Sequence, residues 1–362
     1  MDITLIMTIK RLTTFFPLIF LSLVFSACGS AVDAASWPGF TVDEENGTVY
    51  VAFNQAIYAL QLENGAQRWR FPAENQANFT TFAPPELTGD DQLLISGYDQ
   101  TLYSLNPANG NSNWTFAGAT NRYIGSPSAA GGTIYAPNSD NRLYALNPNG
   151  ELLWTFAAKQ PLWSQPILVA ETLVISSMDH NVYGVDPASG EKIWTLDTGG
   201  AIVSSPTLGE DEVVFVGTLK QQVLAINSAS GRSEWSYDAP GWVWGSPTYI
   251  DGQVLAADLE GTVFALDAAT GRELWSVDTE GAITGAPLVY NNHIYVLNES
   301  GQVISFTLDG TIQWTKNVEA ALYGSPIAAG ELILIGVGTS DALVLALDEN
   351  GDTVWTFAPA SQ

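Results

Sequence analysis

Few side chains in this sequence have both the type and the spacing for covalent chemistry. Cys28 is the only cysteine, so no internal disulfide can form, and its thiol follows the small residues Ser26 and Ala27. His180 and His293 lie far apart and lack cysteine partners, which does not match a zinc spacing. The run Asp348-Glu349-Asn350-Gly351-Asp352 is rich in carboxylates, but it lacks the length and closing glutamate of a calcium loop. A structural turn is expected there. Ser204, Ser205, Ser246 and Ser325 all lie close before prolines, outside any nucleophile elbow or phosphate-binding loop. Neither a metal site nor a catalytic set is expected.

The environment of Cys28 is set by the segment before it. Lys10 and Arg11 precede an apolar stretch, 12–25, and small residues then lead into the cysteine. A basic start, a short apolar run and a small-residue cleavage site describe a secretory signal. The run is too short, and too interrupted by Pro17, to span a bilayer comfortably. Phe25-Ser26-Ala27-Cys28 resembles a bacterial lipobox, which implies that Cys28 is diacylated and becomes the first residue of the exported chain. The expected organisation is a signal peptide over 1–27, a lipidated tether over 28–36 and one domain over 37–362. A lipid would anchor that domain to a membrane without spanning it. The chain carries 38 acidic and 12 basic residues, a net charge of −26. Nucleic acids and anionic membrane surfaces reward Lys and Arg, so neither is expected to bind the folded body.

That domain is repetitive. Trp69, Trp114, Trp154, Trp194, Trp235, Trp275, Trp314 and Trp355 recur about every forty residues. A glycine stands four positions before each: Gly65, Gly110, Gly150, Gly190, Gly231, Gly271, Gly310 and Gly351. A proline opens each unit, at Pro38, Pro85 (or Pro84), Pro127, Pro166, Pro206, Pro247, Pro287 and Pro326. Between these markers, short alternating apolar runs are bounded by Gly, Asn, Asp and Pro, which predicts four strands per unit. The third unit reads as a short strand after Pro127, then strands over 133–136, 142–146 and 152–157. Four strands in forty residues is the length of a propeller blade, so eight units predict an all-β, eight-bladed β-propeller of antiparallel blades. Each unit is complete in sequence, so closure demands no exchanged strand. Each glycine permits a tight turn with positive φ, and each Trp can pack on the neighbouring blade while its N–H finds a backbone acceptor. The eight tryptophans are therefore expected to be structural.

Residues 266–275, Leu-Asp-Ala-Ala-Thr-Gly-Arg-Glu-Leu-Trp, resemble the tryptophan-docking motif of quinoprotein-type (PQQ-repeat) propellers. Residues 184–194 and 225–235 match nearly as well, and the resemblance covers roughly 37–360. That family includes quinone-dependent dehydrogenases and BamB-like envelope lipoproteins without enzymatic activity. The dehydrogenases stack their quinone on a disulfide of adjacent cysteines, which a chain with one cysteine cannot form. No cofactor is expected, pyrroloquinoline quinone included. The resemblance implies a non-catalytic, membrane-anchored scaffold for envelope proteins, expected to be a monomer. A surface propeller binding carbohydrate or another ligand is the alternative, and a degenerate quinoprotein oxidoreductase the third reading.

Departures from the repeat point to a site. Trp163, Trp242 and Trp244 fall just before repeat prolines, with Tyr123 and Tyr323 in comparable places. In a propeller that segment reaches one mouth of the central channel. These aromatics either line a binding mouth for a peptide, sugar or flat ligand, or fill the channel. Arg122, Arg142, Lys159, His180 and Lys220 are expected at the same mouth, where they could orient a carboxylate or carbonyl.

Overall fold

Every forty-residue unit forms one four-stranded antiparallel sheet whose strands pair in sequence order. The computed structural model describes residues 37–74, 76, 78–337 and 342–360, all within the compact unit Ala35–Gln362. The signal segment, Cys28 and the tether lie outside the described residues. Blades 1 to 8 span 39–71, 86–116, 128–157, 167–197, 207–238, 248–278, 288–317 and 327–357. The third blade has strands Ser128–Ala130, Thr133–Pro137, Arg142–Leu146 and Leu152–Ala157, close to the bounds expected from sequence. The protein is an eight-bladed β-propeller.

Strand position within a blade explains residue choice. The first strand is short and follows the proline, whose missing N–H is tolerated at a strand start. First strands of neighbouring blades adjoin one another, so they form the inner wall. Second and third strands are buried on both faces, as in Leu143-Tyr-Ala-Leu146, and read as apolar runs rather than alternation. The fourth strand is the outer edge and alternates exposed and half-buried residues. The apolar core is a ring of eight clusters among the described residues, each joining two neighbouring blades.

Each seam carries the same joint. The Trp of one blade donates its indole N–H to a backbone carbonyl of the next, for example Trp194 to Ser228, Trp235 to Ala268 and Trp275 to Leu308, at 2.8–2.9 Å. A bulge beside every Trp leaves the preceding residue unpaired, as at Trp235, which pairs with Ala225 while Ser233 pairs with Ile226. Bulges bend and twist an edge strand, and this one aims the ring across the seam. The ring lies under the turn glycine of the next blade. A Cβ on Gly271 would sit 2.6 Å from the Trp235 ring, and Gly271 has φ of 71°. The turn itself is tied by Asp267, whose carboxylate accepts bonds from the Thr270 hydroxyl and amide. Those bonds, the hydroxyl's first, hold the exposed Asp267 carboxyl below the usual carboxylate range. The same construction turns Asp348, which accepts from the amides of Asn350 and Asp352.

The ring closes through this joint and without an exchanged strand. Trp355 of blade 8 donates to the Leu62 carbonyl of blade 1 at 2.9 Å and packs under Gly65. Phe40, Val49, Val51 and Leu60 meet Leu334, Val344 and Phe357 in the seam between them.

Two glycines separate turn strain from docking. Gly252 has φ of 77°, and a Cβ added there would meet nothing within 4 Å, whereas Gly271 has a similar φ and the Trp235 ring. Gly252→Ala should therefore cost only the left-handed backbone penalty, about 1–2 kcal/mol. Gly271→Ala should cost about 1–3 kcal/mol more through overpacking. Urea unfolding of both variants measures the difference; equal losses would mean that the seam tolerates the extra methyl.

Candidate functional site

The connections that enter each blade and the turns between its second and third strands lie at one end of the propeller, opposite the Trp-docking turns. Backbone bonds tie the two together around the ring. The amides of Ser139, Met178, Leu219, Leu259 and Glu299 donate to the carbonyls of Arg122, Pro161, Ala201, Trp242 and Ala282. This end is the mouth.

The position three residues before the repeat proline sorts the aromatics. Blades 2, 4, 6 and 8 place Phe82, Trp163, Trp244 and Tyr323 there, and blades 3, 5 and 7 place Ile124, Val203 and Thr284. Large rings thus alternate with smaller side chains, all half-buried. The corresponding position of blade 1 falls outside the described residues. Trp163 donates its indole N–H to the Ser139 hydroxyl at 3.1 Å. Tyr323 stacks on Trp37, ring centroids 5.7 Å apart. Trp242, two residues further from the proline, is 47% exposed and Trp37 is 41% exposed.

Tyr123 does not belong to this surface. It stands four residues before Pro127, the register of Leu162, Ile202, Val243, Ile283 and Leu322, and like them it is buried. An apolar plug is needed at that position between the entering connection and the blade, so the ring packs inward. Its hydroxyl has no hydrogen-bond partner, and burial pushes its pKa far above the ordinary tyrosine value.

The basic residues share the face without forming one cluster. Arg122 is half-buried and lies over the Tyr98 ring at 4.5 Å, while Tyr98 packs on Phe82 at 4.9 Å. Sequence reasoning missed Phe82 and Tyr98; the register before Pro85 is the signal that finds Phe82. Arg142 and Lys159 are exposed on the blade 3 connections, where the Lys159 amide donates to Asp179. His180 is exposed at the positive-φ position of its turn, φ 72°, and its carbonyl accepts from Thr198. Lys220 covers Gly199 and Gly200. None of Arg122, Arg142, Lys159 and Lys220 is ion-paired among the described residues.

Hydroxyls and proline carbonyls join neighbouring blades at the inner wall. Ser205 and Ser246 accept from the amides of Gln165 and Ser205, and Thr207 and Thr248 donate to the carbonyls of Pro247 and Pro287. One carboxylate interrupts this belt. Glu86 accepts from the Gln165 side chain at 3.1 Å, bridging blade 2 to the approach of blade 4. Burial raises its pKa, against the lowering effects of Gln165 and the Ala129 backbone. Among the described residues, no group of three His, Cys, Asp or Glu side chains converges as a metal site.

The repeat now has an identity. The chain matches the PQQ-repeat family model described as outer membrane protein assembly factor BamB over residues 32–161, 178–284 and 259–362. It belongs to this family. Among solved structures, BamB from Moraxella catarrhalis is similar with a TM-score of 0.71 and 17% identity, covering 89% of this chain and 100% of that one. The computationally designed Ika8 protein is similar with a TM-score of 0.74 and 14% identity, covering 89% of this chain and 96% of that one. Both likenesses bear on the fold. A tetrathionate hydrolase of Acidithiobacillus ferrooxidans is 27% identical over 159 residues, 36% of this chain. The match spans 32% of the hydrolase, about a third of its length. The docking tryptophan recurs in every blade, so specificity in this BamB-family chain must come from residues that differ between blades.

Glu86 gives a pH test of the inner wall. Its folded pKa lies above its unfolded value, so the folded state binds more protons between the two and stability falls as pH rises through that window. Glu86→Gln, which keeps an acceptor for Gln165, should melt higher than the parent at pH 7. The advantage should vanish as pH falls below about 4.3, the ordinary glutamate value. A pH-independent difference would contradict the burial of this charge.

Proposed function

We propose that this chain is a non-catalytic, membrane-anchored scaffold of the cell envelope that presents its mouth to other proteins, as its BamB family membership suggests. The observation that carries this reading is a family match across nearly the whole chain combined with a mouth that exposes aromatic and charged side chains without, among the described residues, a converging metal-binding group. Protein surfaces that expose large aromatics mark places where a partner removes them from water. Export and lipidation at Cys28 would hold the propeller at the membrane. A role in outer-membrane protein assembly follows the name of the family.

Crosslinking on intact cells followed by capture of the chain tests the scaffold. Outer-membrane assembly components should be recovered reproducibly, and their consistent absence overturns the assembly role. Cys28→Ser should abolish metabolic labelling with palmitate and release the chain from the membrane fraction; a labelled Cys28→Ser protein would refute anchoring there.

Trp242, open to solvent, also supports the second reading, a mouth for a carbohydrate or small ligand. The enzymatic readings rest on resemblance alone. A thermal melt with pyrroloquinoline quinone and Ca²⁺ should show no shift, and the purified chain should not consume tetrathionate. A quinone-dependent shift would restore the degenerate quinoprotein, and tetrathionate turnover would make the chain a hydrolase.

A further inference from the structure

We propose that the mouth along blades 6 to 8 docks a basic, extended segment of a partner protein, with a lysine or arginine side chain lying against its exposed aromatic rings. This rests on the scaffold reading and gives it a surface and a partner chemistry.

The aromatic surface comes first. Trp242 is 47% exposed, Trp244 is half-buried two residues on, and Trp37 is exposed where it stacks on Tyr323. Indole faces are the best side-chain partners for a cation. The protein already uses that chemistry across the mouth, where Arg122 covers Tyr98 beside Phe82. Among the described residues, no cation covers the rings on the arc of blades 6 to 8. None of the connections and turns described there, 239–247, 258–261, 279–287, 298–301 and 318–326, contains a lysine or arginine.

Charge then selects the occupant. Glu260 packs against Gly241, directly before Trp242. Glu280 and Glu299 stand on the next blade, whose turn hydroxyl Ser300 reaches the Glu280 carbonyl at 3.4 Å. None of the three is ion-paired among the described residues, and burial alone pushes the Glu299 carboxyl up. An acidic segment would meet uncompensated carboxylates here, whereas a basic one would relieve them while stacking on the indoles. The basic residues of blades 3 to 5 keep a cationic segment off the far side, so docking is confined to one arc.

Fluorescein-labelled hexa-arginine and hexa-glutamate peptides, titrated against the full-length protein in detergent by fluorescence anisotropy, test this. Hexa-arginine should bind and hexa-glutamate should not. Trp244→Ala, Trp242→Ala and the pair Glu280→Gln with Glu299→Gln should each weaken hexa-arginine by about tenfold. Trp244→Phe should retain most of the affinity, and Glu234→Gln, a surface acid on an outer strand, should change nothing. Trp242 is exposed, so its variant keeps the test valid if Trp244→Ala fails to fold. Binding that is equal in all variants would mean diffuse attraction to net negative charge and would overturn the proposal, as would no binding. If envelope proteins are still crosslinked in those cases, the scaffold reading stands and only this surface falls; if crosslinking also fails, the scaffold reading falls with it.

Discussion

An indole lying beneath the glycine turn of the next blade is the contact on which this architecture depends. It combines three effects at one place. The ring removes a large apolar area from water, its N–H satisfies a turn carbonyl, and the missing Cβ lets the two surfaces meet. Seven of the eight glycines would place a Cβ within 2.4–2.7 Å of the ring, and Gly351 at 3.1 Å. The apolar clusters lie between blades rather than within them, so a blade has no private core. Stability in such an array is a sum over neighbouring pairs, and the joint sets the pair geometry.

This explains what was legible in the sequence. The Trp, Gly and Pro registers solve one local problem eight times, so blade count and strand order can be read directly. What the sequence conceals is who touches whom. Gly65 and Trp69 read as one motif, yet Gly65 receives Trp355 and Trp69 lies under Gly110. The true partner is a whole period away and looks the same in every period. Tyr123 was misleading for a related reason. One residue separates its register from that of Trp163, and that single step turns a side chain from the mouth into the seam.

The mouth is less symmetric than the scaffold beneath it. Its aromatic positions alternate large and small side chains along blades 2 to 8. Its charge is uneven as well, with scarce cations on blades 3 to 5 and carboxylates without cations on blades 6 to 8. The seams are under a shared geometric constraint, whereas the mouth residues are free to differ. Glu86, a half-buried carboxylate in a belt of hydroxyls, shows that such differences reach the inner wall.

The seam between blades 8 and 1 has a further consequence. Trp355 reaches Leu62 with the same bond length that Trp69 has to Pro107, although no peptide links blade 8 to blade 1 there. Covalent continuity is therefore not what holds any two blades together. A circularly permuted chain, cut in any entering connection and joined across the present gap, would keep every joint intact and enclose the same channel.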